Sequence, residues 1–234
     1  MTQFRPSRFQ VLPTIIKNLL IINILVFIAQ STIDVQFDLH LEKWFALHTW
    51  QSPWFKPWQI VTHMFMHGDI GHIFFNMFAL WMFGSVLENL WGPKRFITFY
   101  FACGFGAALA HLIFMYYHFQ PIAELFKQLP VEEQFRLIDS PQFKLNESTL
   151  GASGAVFGCL AAFGYLFPNS ELYIYGIIPV KAKWMVLGYA ALELYLTIAN
   201  SAGDNVAHIA HLGGAVVGFA LVYFWNKTNK RTFY

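Results

Sequence analysis

Four residues sit at spacings that could do hydrolytic chemistry. Ser153 stands among glycines in "TLGASGAVFG", residues 149–158. His211 lies three residues after His208 in "NVAHIAHLGGAVVGFA". His72 and Asn76 are four apart in "THMFMHGDIGHIFFNMFALWMFG", so on a helix they share one face. A serine hydroxyl is a poor nucleophile until a base takes its proton, and a neutral imidazole within hydrogen-bond reach is such a base. Attack on a carbonyl then creates an oxyanion, which needs donors already in place. Unpaired backbone N–H groups of a helix starting near Ser153 would be such donors, and the His72 imidazole and Asn76 amide could add to them. These are the parts for amide hydrolysis. An acidic partner for the histidine is not evident, because the apolar stretch around His211 has no Asp or Glu and Asp204 lies outside it. A two-residue Ser–His arrangement is the simplest reading.

The elements that must position these groups belong to a membrane protein. Of 234 residues, 56% are hydrophobic, 19% aromatic and 12% charged, where a soluble domain carries about 25% charged residues. Twenty-six Phe and eight Trp exceed what one water-soluble core needs, so the surplus apolar surface must face lipid. The net charge of +2, with no basic stripe, excludes a nucleic-acid partner. Cys103 and Cys159 both lie in apolar runs and form no disulfide framework. The first apolar run has no small-residue cleavage site after it and reads as an uncleaved span rather than a signal peptide.

A helix needs about 20 apolar residues to cross a bilayer core. Six stretches approach that length: 15–30, 58–87, 93–117 with Pro93 in its first turn, a short one from 153 to before 168, 184–199 and 206–225. No alternation suggests a barrel. The expected architecture is therefore all-α, a bundle of six transmembrane helices over residues 15–225. A short N-terminal segment (1–14) and a C-terminal tail (226–234) flank it. With the N-terminus inside, the inner segments hold Arg5, Arg8, Lys17, Lys94, Arg95, Lys181, Lys183, Lys227, Lys230 and Arg231. The outer loops hold only Lys43, Lys56, Lys127, Arg136 and Lys144. Ten against five places both termini in the cytoplasm. The outside insertion, about 119–149, carries the amphipathic runs "IAELFKQL" and "VEEQFRLI". It reads either as an interfacial cap on the bundle or as a solvated loop.

Polar groups inside spans are costly and point to function. His63 and His67 precede His72 at helical spacings, and with His208 and His211 they make five histidines in two spans. Gly154 and Gly158 are four apart in the fourth span, as are Gly214 and Gly218 in the sixth. Such small-residue strips let helices approach closely in lipid. If the two strips face each other, Ser153 and His211 reach the same depth.

These residues resemble the rhomboid family of intramembrane serine proteases. The resemblance rests on "HIFFN" in the second span, "GASGAVFG" at the start of the fourth and "AHLGGAVVG" in the sixth, in the family's order, with "GPKRF" as a weaker marker. It covers roughly residues 15–225. It implies Ser153 as nucleophile and His211 as general base, with His72, Asn76 and the Ser153 backbone N–H as oxyanion hole. It further implies that Gly151 leaves room for the bend before the serine, and that Gly154, Gly158, Gly214 and Gly218 pack the helices. His208 is outside the family's minimal pattern and takes a structural role, while His63 and His67 anchor the loop to the second helix. A membrane-embedded outer loop over about 35–58, rich in Trp, is also implied, as is water reaching Ser153 from the outer face. The substrates would be other membrane proteins in the bilayer, and no cofactor is needed. A compact chain of this kind is expected in a bacterial inner membrane.

Three other readings compete. A catalytically inactive relative that binds membrane proteins would be expected to lack Ser153 or His211. A metal-binding protein using His63, His67, His72, His208 and His211 has suitable ligands but leaves "GASG" unexplained, and no His-Glu-x-x-His motif is present. A transporter lacks internal repeats and, on this reading, an acidic relay within a span.

Overall fold

A computed structural model describes residues 9–37, 39–140, 142–174, 177–199 and 207–228. Most of the expected terminal segments (residues 1–8 and 229–234), the start of the expected sixth span at Val206, and Asp204 lie outside the described residues. Among those described, four helices are long and apolar enough to cross a membrane: α1 (Thr14–Phe37), α2 (Ile70–Trp91), α3 (Pro93–Gln128) and the stretch His208–Lys227 of α7 (His208–Thr228). Between α3 and α7 come α4 (Val131–Ile138), the shorter apolar α5 (Ser153–Leu166) and α6 (Ala182–Ala199), whose 18 residues include Lys183 and Glu193. Ile21, Leu25 and Ile28 of α1, Phe74 and Phe75 of α2, and Leu187, Tyr195 and Ile198 of α6 turn outward. Apolar outer faces on several spanning helices are what a lipid solvent selects. The protein is an integral, multi-pass membrane protein.

Several expected boundaries shift for physical reasons. α2 starts at Ile70, because Asp69 caps it by accepting from the His72 backbone N–H at 2.8 Å. Residues 59–65 form only short helical turns, so His63 and His67 precede the membrane helix instead of lying within it. α2 widens into a π-turn over Leu80–Gly84, where α1 leans in: a Cβ on Gly84 would lie 2.5 Å from Ile16 Cδ1. Glu88, farther along α2, accepts from the backbone N–H groups of Ile15 and Ile16 at 2.9 Å each. A carboxylate thus satisfies two of the orphan donors at the start of α1.

α3 begins at Pro93, as expected, directly after Gly92 at φ +78. It then runs for 36 residues to Gln128, well past residue 117. At 1.5 Å per residue this is about 54 Å against a hydrocarbon core of about 30 Å, so its end projects from the bilayer. The insertion is therefore largely helical. Its projecting turns bury Met115, Phe119 and Ala123 against Phe143 and Leu145 in a small second core.

Two short antiparallel ladders modify the all-α expectation. β1 (Leu47–His48) pairs with β2 (Ser148–Thr149) and stitches the Trp-rich outer loop to the returning insertion just before the "GASG" turn. The Ser52 hydroxyl adds a bond to Asn146 Oδ1 at 3.2 Å. Gln59 gathers the outer loop by donating to the carbonyls of Lys43, Trp44 and Trp54. The other ladder, β3 (Glu171–Ile174) with β4 (Ile178–Lys181), is a hairpin between α5 and α6.

The center of the bundle is the meeting of α3, α5 and α7. The glycine strips do face each other: a Cβ on Gly214 would collide with the Gly154 carbonyl oxygen, and one on Gly218 would lie 2.6 Å from that of Gly158. Residue 154 opposite 214 and 158 opposite 218 means that α5 and α7 run parallel. On the other side of α5, a Cβ on Gly158 would meet Cys103 Sγ of α3 at 2.5 Å. Backbone packed this closely leaves no room for side chains. Gly214→Val is expected to destabilise the fold by about 3 kcal/mol or more, because neither backbone can give way. Gly188 on α6 has nothing within 4 Å of its Cβ position, and Gly188→Val should stay within about 0.5 kcal/mol of the parent. Thermal unfolding in detergent micelles, comparing the two valines, checks this; equal midpoints would contradict the close packing.

Candidate active site

Ser153 is the first residue of α5 and His211 lies in the first turn of α7. Because the two helices are parallel and pressed together one residue deeper, these side chains meet. Ser153 Oγ and His211 Nε2 are 2.8 Å apart, the distance of a hydroxyl donating to an imidazole nitrogen. One turn beyond the serine, the Phe157 ring stacks on the His211 ring, with centroids 4.3 Å apart and planes 5° apart. The stack restricts the imidazole to the plane that points Nε2 at the hydroxyl.

The turn before Ser153 is equally constrained. Gly151 has φ +127, a conformation that L side chains rarely adopt, and its N–H donates to the His63 carbonyl at 2.9 Å. A Cβ there would lie 2.8 Å from His72 Nε2 and 3.5 Å from Ser153 Oγ. The Cβ position of Gly151 thus adjoins both the His72 imidazole and the Ser153 hydroxyl. Asn76, one turn further along α2, is buried, and its Nδ2 has no hydrogen-bond partner among the described residues. A buried amide donor left open can receive negative charge from a bound group. Ser153, Gly151, His63 and Thr149 line a small open pocket.

The other expected histidines separate into two groups. His63 and His67 stay on the α2 side. His63 Nδ1 is 2.8 Å from the Gln59 carbonyl oxygen. His67 is fully buried, with its ring edge-on to His72 and its backbone clamped by Gln30 of α1, which accepts from the N–H at 3.3 Å and donates to the carbonyl at 3.0 Å. The five-histidine metal set is not assembled as one site. Among the described residues, the histidines and acids close enough to share an ion are His208, His211 and Glu193, whose ligand atoms lie within 4.8 Å of one another.

Glu193 is the residue that sequence reasoning missed. Its Oε2 lies 2.6 Å from His208 Nδ1 and 3.1 Å from His211 Nδ1. The stretch around His211 carries no acid, and this one comes from α6. It is the single acidic residue of that helix, so its isolation among apolar residues was the available signal. An acidic neighbour of His211, not evident in the sequence, is thus present on α6. Phe157 gave no signal apart from its i+4 spacing from Ser153. His111 of α3, in contact with the Thr149 hydroxyl through Nε2, was a further intramembrane histidine visible in the sequence.

Comparison with known proteins follows the same residues. A family model described as the Rhomboid domain matches residues 55–227. RHOMBOID-like protein 12, mitochondrial, of Arabidopsis thaliana is 30% identical over 174 residues, 74% of this chain and 47% of that protein. Rhomboid protein 1, mitochondrial, of Saccharomyces cerevisiae is 30% identical over 166 residues, 71% of this chain and 40% of that protein. Rhomboid protease GluP of Bacillus subtilis is 26% identical over 174 residues, 72% of this chain and 25% of that protein. The chain thus spans half or less of the length of these relatives. Two of the three carry mitochondrial names, so the similarity does not single out a bacterial inner membrane.

The Gly151 geometry has a direct consequence. Gly151→Ala is expected to destabilise the protein by about 1–3 kcal/mol through backbone strain and to displace the His72 ring. It should also slow labelling of Ser153 by a fluorophosphonate by about tenfold or more, if a donor is lost from beside the hydroxyl. Labelling at the parent rate would show that the turn does not shape the site.

Proposed function

The chain belongs to the rhomboid family, and on that premise we propose that it is an intramembrane serine endopeptidase working with Ser153 and His211. The observation that carries the reading is the 2.8 Å approach of Ser153 Oγ to His211 Nε2 at the start of two tightly packed helices. His211 Nε2 takes the hydroxyl proton as Oγ attacks the carbonyl carbon of a substrate peptide bond. The oxyanion is held by the Ser153 backbone N–H, the His72 imidazole and the Asn76 amide. His211 then gives its proton to the departing amine, leaving an acyl-enzyme. A water molecule, deprotonated by the same imidazole, hydrolyses the ester and restores Ser153.

The membrane domain, about residues 15–225, crosses the bilayer six times in this reading, α5 and α6 being the spans beyond the four longest helices. The preponderance of Lys and Arg on the inner segments supports cytoplasmic termini. α5, at 14 residues or about 21 Å, is shorter than the hydrocarbon core, so Ser153 starts below the outer surface and is wetted from that side. Substrates are membrane proteins whose helix unwinds locally to present a peptide bond.

Purified protein in liposomes with a single-span substrate tests the reading. Ser153→Ala is expected to lower cleavage by about a thousandfold or more and to abolish fluorophosphonate labelling. Undiminished cleavage by that variant, or equal labelling of both proteins, would remove Ser153 as nucleophile.

A further inference from the structure

α6 is turned almost wholly outward, yet it buries one carboxylate. Among its described residues only Ala182 and Glu193 are buried, while Leu187, Leu192, Leu194, Tyr195 and Ile198 are exposed. A carboxylate inside a bilayer is retained only where partners hold it. Both partners of Glu193 come from α7. His208 Nδ1 donates to Oε2 at 2.6 Å, and His211 Nδ1 lies 3.1 Å from the same oxygen.

We propose that Glu193, braced by His208, is the acidic positioning residue that holds His211 for proton transfer with Ser153. The argument starts from the tautomer. For Nε2 to accept the Ser153 proton, Nδ1 of the neutral ring must carry the hydrogen. That buried Nδ1 has no aligned hydrogen-bond acceptor among the described residues, and the carboxylate at 3.1 Å is the acceptor within reach. As the hydroxyl proton moves to Nε2, the ring becomes a cation, and it gains an ion pair with the buried carboxylate at that moment. His208, by donating to Oε2, keeps the oxygen turned toward α7 instead of rotating toward lipid. Phe157 holds the ring from one face and Glu193 fixes its edge.

A metal ion fits this trio less well. A tetrahedral zinc bound about 2.0–2.1 Å from each donor would hold the donors about 3.3 Å apart. Glu193 Oε2 and His208 Nδ1 are 2.6 Å apart, which suits a shared proton.

The inference rests on the serine-protease reading, and the experiment separates the two. Steady-state cleavage and fluorophosphonate labelling are measured for the parent, Ser153→Ala, Glu193→Gln, Glu193→Asp, Glu193→Ala and His208→Phe, with thermal midpoints recorded for each. If the parent neither cleaves nor labels at Ser153, the protease reading itself fails. With an active parent, Glu193→Gln is the deciding variant, because it keeps the volume but replaces the acceptor with an amide that cannot stabilise the cation. We expect kcat to fall by about tenfold or more with KM nearly unchanged, and Glu193→Asp to recover part of the loss. A merely structural role predicts the opposite ranking: Glu193→Gln near the parent and Glu193→Ala impaired along with its midpoint. That ranking would overturn the proposal. If the Glu193 variants fail to fold, His208→Phe decides, since a loss of kcat of about threefold or more at an unchanged midpoint supports the brace and a parental kcat removes it. Activity lost to a chelator and restored by Zn2+ would assign the trio to a metal and also overturn it.

Discussion

Everything at this site depends on how closely two backbones approach. In lipid there is no hydrophobic force to press one apolar helix against another, so contact relies on fit at short range. Gly154 and Gly158 of α5 meet Gly214 and Gly218 of α7 with no space left for a single Cβ at Gly214. That contact sets the depth and register of the parallel pair, and the register brings the side chain preceding one strip against the side chain one turn before the other. The hydrogen bond between Ser153 and His211 is therefore a consequence of glycine packing. α3 completes the arrangement by filling the remaining side of α5 with Ala107 and Cys103.

Around that contact, each costly polar group is compensated by a specific partner from a distant part of the chain. Glu88 caps α1, Gln30 of α1 clamps the backbone at His67, and Glu193 of α6 meets two histidines of α7. These bonds cross between elements that otherwise touch through apolar surface alone. In a medium without competing water they orient helices that dispersion would leave free to rotate. The same logic ties the outer surface together: Gln59 and the β1–β2 ladder hold the Trp-rich loop and the insertion immediately above the turn that carries Ser153. The Ser153–His211 pair thus lies directly below a hydrogen-bonded outer layer.

The four longest helices were legible because the bilayer imposes a length on each and penalises charge in the middle. Pro93 marked the start of α3 correctly, since its missing N–H and fixed φ suit a first turn. Boundaries failed where polar content overrode hydropathy. The run from 58 is apolar enough to extend a helix, but Asp69 caps α2 at Ile70 and turns the preceding histidines into loop anchors. Residues 118–128 are amphipathic and looked like loop, yet they continue α3 because they have a core of their own against Phe143 and Leu145. The paired strands were too short to leave a periodic signal.

Residue types and local spacing by themselves determined that this chain crosses membranes, marked Ser153, His211, His72 and Asn76 as candidates for hydrolytic chemistry, and showed that two glycine strips could bring helices close. Those properties are written in near neighbours along the chain, within a turn or a span. What only the tertiary structure decided was which helix face looks inward. The carboxylate of Glu193 comes from α6 and the rings of His208 and His211 from α7. Whether they meet depends on the rotation of α6 about its own axis, which is set by packing and buried hydrogen bonds and has no counterpart in local sequence.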